Sequence, residues 1–232
     1  MLVSGRNNCK EILKNNSMKN KIKKAICSKN FNELDILSLI ENAKIPLIYK
    51  EKFELDKLAK NNHQGIIMEV EEFSYKLLDD LIKKGKCRLL ILDHLEDPHN
   101  LGAIIRTSEA AGIDGIILPK NRSVEVNETV MKTSVGALYN VNICQVTNLN
   151  QTIKKLKDLG FWIVGTDMDG CDYRNIDYPE KCVLIIGSEG FGMQRLVKES
   201  CDYIASIPMN GKINSLNASV AAGIMIYELI RK

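Results

Sequence analysis

The sequence predicts an α/β protein in two parts. Residues 1–72 form a small α/β unit, residues 73–88 a linker, and residues 89–232 a larger unit built on a parallel sheet. Three observations lead there. Past residue 88, runs such as Leu89-Leu90-Ile91-Leu92 and Val183-Leu184-Ile185-Ile186 are apolar on both faces and alternate with stretches of helical period. Parallel strands covered by helices on both sides read this way. Before residue 73, shorter helical and extended patterns alternate. The charge divides as well. Residues 1–88 hold 18 Lys/Arg and 12 Asp/Glu, a net +6, while residues 89–232 hold 14 and 17, a net −3.

In the first part, residues 7–15 read as a helix carrying Ile12 and Leu13, and 22–28 as a strand. A helix over 32–43 carries Leu34, Leu37, Leu39 and Ile40. A strand over 45–49, a helix over 52–60 and a strand over 65–70 follow. Residues 74–86 put Leu77, Leu78, Leu81 and Ile82 on one side of a connecting helix that ends in Lys83-Lys84-Gly85-Lys86. In the second part, strands are expected at 89–92, 115–118, 161–165, 183–186 and 204–207. Helices are expected at 101–111, 127–137, 149–159, 194–199 and 215–231. No internal repeat or low-complexity tract interrupts them.

Composition excludes several classes. The apolar runs are too short to span a bilayer, and the first residues lack a signal core, so a soluble cytoplasmic protein is expected. Seven scattered cysteines, none in a Cys-x-x-Cys pair, argue against a disulfide framework or a zinc site and read as buried thiols. The basic first part, with seven lysines against one glutamate over residues 10–29, suits a polyanionic partner; a lysine-biased solvated surface is the plainer reading.

Three stretches place polar or glycine residues where a strand gives way to a loop, the usual location of α/β sites. The first is Asp97-Pro98-His99-Asn100-Leu101-Gly102 with Arg106. Asn100 is a good N-cap, and Gly102, Ala103 and Arg106 share a helical face where an anion could approach. Otherwise Arg106 pairs at the surface with Glu109 or Glu199. His94, His99, Asp93, Glu96 and Asp97 resemble a metal cluster, but their spacing fits no zinc signature, and no metal is expected.

The second stretch is Gly187-Ser188-Glu189-Gly190-Phe191-Gly192. Its Gly-x-x-Gly-x-Gly spacing is not the dinucleotide fingerprint, which disfavours a nucleotide-dependent oxidoreductase. A plain strand-to-helix turn explains the glycines but not Glu189, whose natural partner is Arg106. The third is Ile207-Pro208-Met209-Asn210-Gly211 running into Asn214-Ser215-Leu216-Asn217. Asn214 or Ser215 caps a last helix whose face is Leu216, Val220, Gly223 and Tyr227. Capping leaves Asn217 unexplained. Gly211-Lys212 is no P-loop, because Ile213 follows.

Together and in this order, the three stretches resemble the motifs of the SpoU/TrmH branch of the SPOUT methyltransferases. With Ser4-Gly5-Arg6-Asn7 and His63-Gln64-Gly65 in the first part, the chain is most similar to RlmB-type 23S rRNA (guanosine-2′-O-)-methyltransferases. The resemblance implies a ribosomal-protein-like RNA-binding domain followed by a SPOUT domain with a deep trefoil knot. It implies S-adenosylmethionine as methyl donor, RNA (rRNA foremost) as substrate, and a homodimer. It casts Asn100, Arg106, Glu189, Ser215 and Asn217 as catalytic. Donor contacts fall to Thr166, Gly187, Ser188, Glu189, Gly190, Gly192, Ile207, Pro208, Met209, Ser215, Leu216 and Asn217. RNA contacts fall to Arg6, Lys10, His63 and Arg106. A tRNA 2′-O-methyltransferase and a non-catalytic ribosome-assembly protein on the same scaffold are the alternatives.

Overall fold

A computed structural model of the chain describes residues 1–59, 63–213 and 215–231, with Ser17 by its main chain alone. Packing divides these residues into two units, one of Met1–Ser74 with Val126–Asn140, the other of Tyr75–Glu125 with Val141–Lys232. The sequence reading assigns 126–140 to the second part. In the fold, that segment belongs with the first.

The first unit opens on β1 (Leu2–Ser4), a strand too short to show a period, and α1 (Arg6–Lys14). The short α2 (Asn16–Lys19), β2 (Ile22–Ser28) and α3 (Leu34–Asn42) follow, then β3 (Leu47–Lys50), α4 (Lys52–Leu58) and β4 (Ile66–Val70). The sheet order is β1-β4-β2-β3. Its β1/β4 and β2/β4 pairs are antiparallel, and β2/β3 is parallel. Ile26, Leu55 and Ile67 form a buried cluster between sheet and helix. The expected end of the fourth helix at Lys60 lies outside the described residues.

The second unit begins with a correction. The expected helix over 74–86 is a single turn, α5 (Leu78–Leu81). Lys76 pairs in parallel with Cys144 instead, so the chain there is extended, and Leu77 is exposed. Then come β5 (Cys87–Asp93), α6 (Pro98–Ala111) and β6 (Gly115–Pro119). The helix expected over 127–137 is only α7 (Glu128–Thr133), because Val135 and Gly136 both take left-handed backbone angles (φ 50° and 84°). After it run β7 (Ile143–Val146), α8 (Leu149–Asp158), β8 (Trp162–Asp172), β9 (Lys181–Gly187), α9 (Arg195–Glu199), β10 (Tyr203–Ser206) and α10 (Ala218–Ile230). Neither β1 nor β7 was expected from the sequence.

Six parallel strands in the order β10-β8-β9-β5-β6-β7 make the large sheet. The core runs through its centre, with Leu89, Ile91, Val183, Ile185 and Ile163 essentially buried. From β5 the chain steps outward through β6 to β7, then returns to the other side of β5 with β9. The direction of winding therefore reverses between β5 and β9. Crevices at such a reversal, beyond the carboxyl ends of the strands, hold ligands in open α/β sheets. The register sets Asp93 opposite Gly187, so the first two motifs leave neighbouring strand ends. The third follows β10 and leads into α10, which packs against α6 and β9.

Candidate active site

The three motifs meet at one carboxylate oxygen. Glu189 Oε1 accepts from Asn100 Nδ2 at 2.6 Å, from Asn217 Nδ2 at 3.0 Å and from the Ala218 N–H at 3.3 Å. Asn217 Nδ2 also donates to Asn100 Oδ1 at 3.0 Å. The amide orientations follow from the helix. Asn217 caps α10, so its Oδ1 accepts from the N–H groups of Ser219 and Val220 and from the Ser219 hydroxyl. That leaves only its NH₂ to face the cluster. Asn100 must then meet that NH₂ with its oxygen and turn its own NH₂ to Glu189. Asn100 is 5% exposed, and an unpaired amide buried that deeply would be costly.

The capping roles differ from expectation. Asp97, not Asn100, caps α6: its side chain accepts from the His99 N–H, and Pro98 occupies the first turn. Asn100 is thereby freed to point inward. Asn217 caps the last helix; Ser215 lies ahead of it and is exposed, and Asn214 lies outside the described residues. The core face of α10 is Ala218, Ala222, Met225, Ile226 and Leu229, so Val220 and Tyr227 of the expected apolar face stand half exposed.

Arg106 is not the partner of Glu189. Six residues beyond Asn100, it lies about 240° further around the helix, and so points elsewhere. Its side chain is exposed and makes no ion pair with another described residue; Glu199 pairs with Arg195. The structure thus gathers Asn100, Glu189 and Asn217 but leaves Arg106 and Ser215 outside the hydrogen-bonded cluster.

Asp93 is a residue that sequence reasoning considered only as a metal ligand. It is fully buried at the end of β5. One carboxylate oxygen is hydrogen-bonded to His94 Nδ1, the other accepts from the Gln194 N–H at 2.7 Å. It ties the segment after the glycine loop back to the first motif. An acidic residue closing an apolar strand was the available signal. Among the described residues, no group of three or more His, Cys, Asp and Glu side chains is placed to hold a metal ion.

The glycine loop closes on itself: the Ser188 and Gly192 main chains exchange two hydrogen bonds of 3.0 Å. A Cβ at Gly187 would come within 2.3 Å of the Gly192 carbonyl carbon, so glycine there is a packing requirement. Thr166 Oγ1 donates to the Ile185 carbonyl, stitching β8 to β9. Past β10, Ile207 and Met209 are half-buried. Their main-chain groups and apolar side chains, with the partly exposed apolar Leu216 further along the same segment, are of the kinds that suit the polar edge and flat face of an adenine. The donor set expected for S-adenosylmethionine thus has suitable chemistry.

In the first unit, Arg6 pairs with Glu33, Lys10 with Asp35, and Arg6 lies over the Phe31 ring. His63 is 5% exposed. Its Nε2 bonds Asp56, and its Nδ1 accepts from the Gly65 N–H. It shapes the turn beside a cleft of about 600 Å³ that Arg6 also lines.

A parallel sheet with polar motifs converging at its winding reversal defines the class of open α/β proteins whose ligands sit beyond the strand ends. Comparison narrows it. Residues 88–227 match the SpoU rRNA methylase family, and residues 2–76 match the family described as RNA 2′-O ribose methyltransferase substrate binding. A Staphylococcus saprophyticus protein named for the TrmH family of tRNA/rRNA methyltransferases is 44% identical over 100% of this chain and 96% of its own. Among solved structures, an AdoMet-bound rRNA methyltransferase from Sinorhizobium meliloti superposes with a TM-score of 0.75 at 26% identity, covering 98% of this chain and 85% of that one. The SpoU methyltransferase AviRb from Streptomyces viridochromogenes, crystallised with AdoMet, shares the fold: TM-score 0.78, 23% identity, 99% of this chain and 89% of that one. The chain belongs to the SpoU/TrmH family and is an S-adenosylmethionine-dependent RNA methyltransferase.

Proposed function

We propose that the protein methylates a ribose 2′-hydroxyl of RNA, a guanosine of 23S rRNA foremost. The observation that carries this reading is the convergence of all three motifs on Glu189 Oε1. The substrate-binding family match over residues 2–76 supports the ribose as acceptor, and the SpoU rRNA methylase match supports rRNA. The tRNA/rRNA naming of the relatives keeps tRNA as the second reading.

S-adenosylmethionine, when bound, supplies an already activated methyl group on a sulfonium. The residues of the chain then have to place the acceptor in line and manage its proton. Glu189 Oε1 is spent on the cluster, while Oε2 takes no bond from a described residue and is left for the acceptor hydroxyl. Asn100 and Asn217 fix that carboxylate. Arg106 brings a guanidinium, a cation by nature. It acts as a cation near the phosphate or the developing alkoxide, not as the base. Ser215 contacts donor or acceptor from ahead of α10.

We further read residues 1–72 as the RNA-capturing domain and 89–232 as the catalytic domain, carrying the trefoil knot. A second copy would cover the exposed Val220 and Tyr227 of α10. The test is Arg106→Lys, followed by single-turnover rate against pH. A modest loss with an unchanged profile supports the cation role. A profile displaced by several pH units would mean that the arginine itself exchanges the proton.

A further inference from the structure

Beside Glu189 lies a cleft of about 650 Å³, within the roughly 300–1,000 Å³ range of small-molecule and nucleotide sites. Its walls are the segment from His94 to Asp97, the glycine loop, and Arg122. It shares Ser188, Glu189 and Gly192 with the expected donor contacts, but none of Thr166, Ile207, Met209 or Leu216. Most of the expected donor contacts therefore lie outside it.

Arg122 is held there by its loop. Its backbone is left-handed, with φ 52°, an angle that a non-glycine residue rarely keeps without support. The support comes from the next two residues. Ser123 Oγ and the Val124 N–H both donate to the Leu95 carbonyl, at 3.2 and 2.7 Å. Leu95 is buried and lies two residues ahead of the α6 cap, so Arg122 is fastened to the first motif itself. Its exposed guanidinium makes no ion pair with another described residue, although Glu96, Asp97 and Glu189 line the same cleft. A pre-placed, unpaired guanidinium is a phosphate ligand in waiting.

Phe191 lines the same cleft, 94% exposed between Gly190 (φ 84°) and Gly192 (φ 66°). The two-way Ser188–Gly192 bonding keeps the loop closed and the ring outside. An aromatic ring held in water beside a polar cleft is a surface for a base to stack on.

We propose that this cleft receives the target nucleotide, turned out of its stack, with Arg122 on its phosphate and Phe191 against its base. The inference rests on the methyl-transfer reading and adds two positioning residues to it. It makes the preferred substrate an unpaired nucleotide, since a stacked and paired base could not enter.

The test uses the full chain, unmodified 23S rRNA and tRNA transcripts, and S-adenosylhomocysteine as a probe of the donor site. Arg122→Asn is the variant of choice, because asparagine tolerates the left-handed backbone. It should leave S-adenosylhomocysteine affinity within about twofold, raise the RNA KM, and flatten the salt dependence of RNA binding by about 0.7–0.9 in log–log slope, one phosphate contact. Phe191→Ala should weaken RNA binding by about 5- to 100-fold, and Phe191→Trp should restore it. An Arg122→Asn protein with wild-type KM and salt slope overturns the proposal. So does one that loses S-adenosylhomocysteine binding in parallel, since that marks a purely structural role. If the wild-type protein methylates no RNA at all, the underlying reading falls first, and the inference with it.

Discussion

Asn217 does two jobs with one side chain. Its oxygen caps α10 and its NH₂ reaches Glu189 and Asn100. Asn217→Ala is therefore expected to cost about 1 kcal/mol in urea unfolding and also to slow methyl transfer by at least about tenfold. Glu189→Gln separates the two effects. A glutamine oxygen can accept the same three hydrogen bonds, so stability should change little while single-turnover rate falls, because the charge facing the acceptor is gone. A Glu189→Gln enzyme with unaltered rate would remove the carboxylate from the chemistry. The thiols give a pH prediction. Burial pushes Cys9, Cys144, Cys182 and Cys201 up to about 12, while Cys171 is exposed. Folded thiols stay protonated between about pH 9 and 12 while those of the unfolded chain ionise, so stability holds below pH 9 and falls above it. Each fully buried thiol contributes up to about 1.4 kcal/mol per pH unit to that fall. Urea unfolding at pH 8 and pH 10 measures the slope, and Cys182→Ala should reduce it. Sequence identified the chemical types here but not their pairing. Arg106 was the obvious partner for Glu189, and two asparagines took the place, because amides 89 and 28 residues from Glu189 cannot be seen as its neighbours along the chain.

The loops that carry the site differ in what they tolerate. Gly187→Ala puts a methyl group against the Gly192 backbone, which cannot yield, so the loop should open and S-adenosylhomocysteine binding should be lost. Gly190→Ala meets open space at φ 84°, and is expected to cost only about 1–2 kcal/mol of backbone strain. Calorimetry on the two variants distinguishes them; equal losses would mean that loop closure is not what positions the ligand. Elements with strong apolar runs, β5 and β9 above all, were legible from sequence to within a residue or two. Those set by a neighbour were not. β7 mixes polar and apolar residues at a sheet edge, and the turn at Val135–Gly136 stops α7 short. α6 begins at Pro98, with Asp97 as cap, where the sequence offered Asn100 as an equally good signal.

At the scale of the whole chain, the basic excess of the first part is only partly free. Arg6, Lys10, Lys21, Lys24, Lys29 and Lys50 are in ion pairs, whereas Lys14, Lys19, Lys23 and Lys44 make none with described residues. Replacing Lys14, Lys19 and Lys23 with serine should lower RNA affinity and shallow its salt slope by about 2–3 units if all three meet phosphate, with S-adenosylhomocysteine binding unchanged. Such variants are better tools than deletion of residues 1–72, because 126–140 packs within the first unit and would lose its partners. The atom that receives the methyl group decides the chemistry of the whole molecule. Labelled methyl should be transferred from S-adenosylmethionine to 23S rRNA transcripts, and the product hydrolysed in alkali. A 2′-O-methyl group blocks cleavage at its own phosphate, so the account predicts the label in alkali-resistant dinucleotides, lost in Glu189→Gln and Asn100→Ala. Label released as mononucleotides would place the methyl on a base and contradict it.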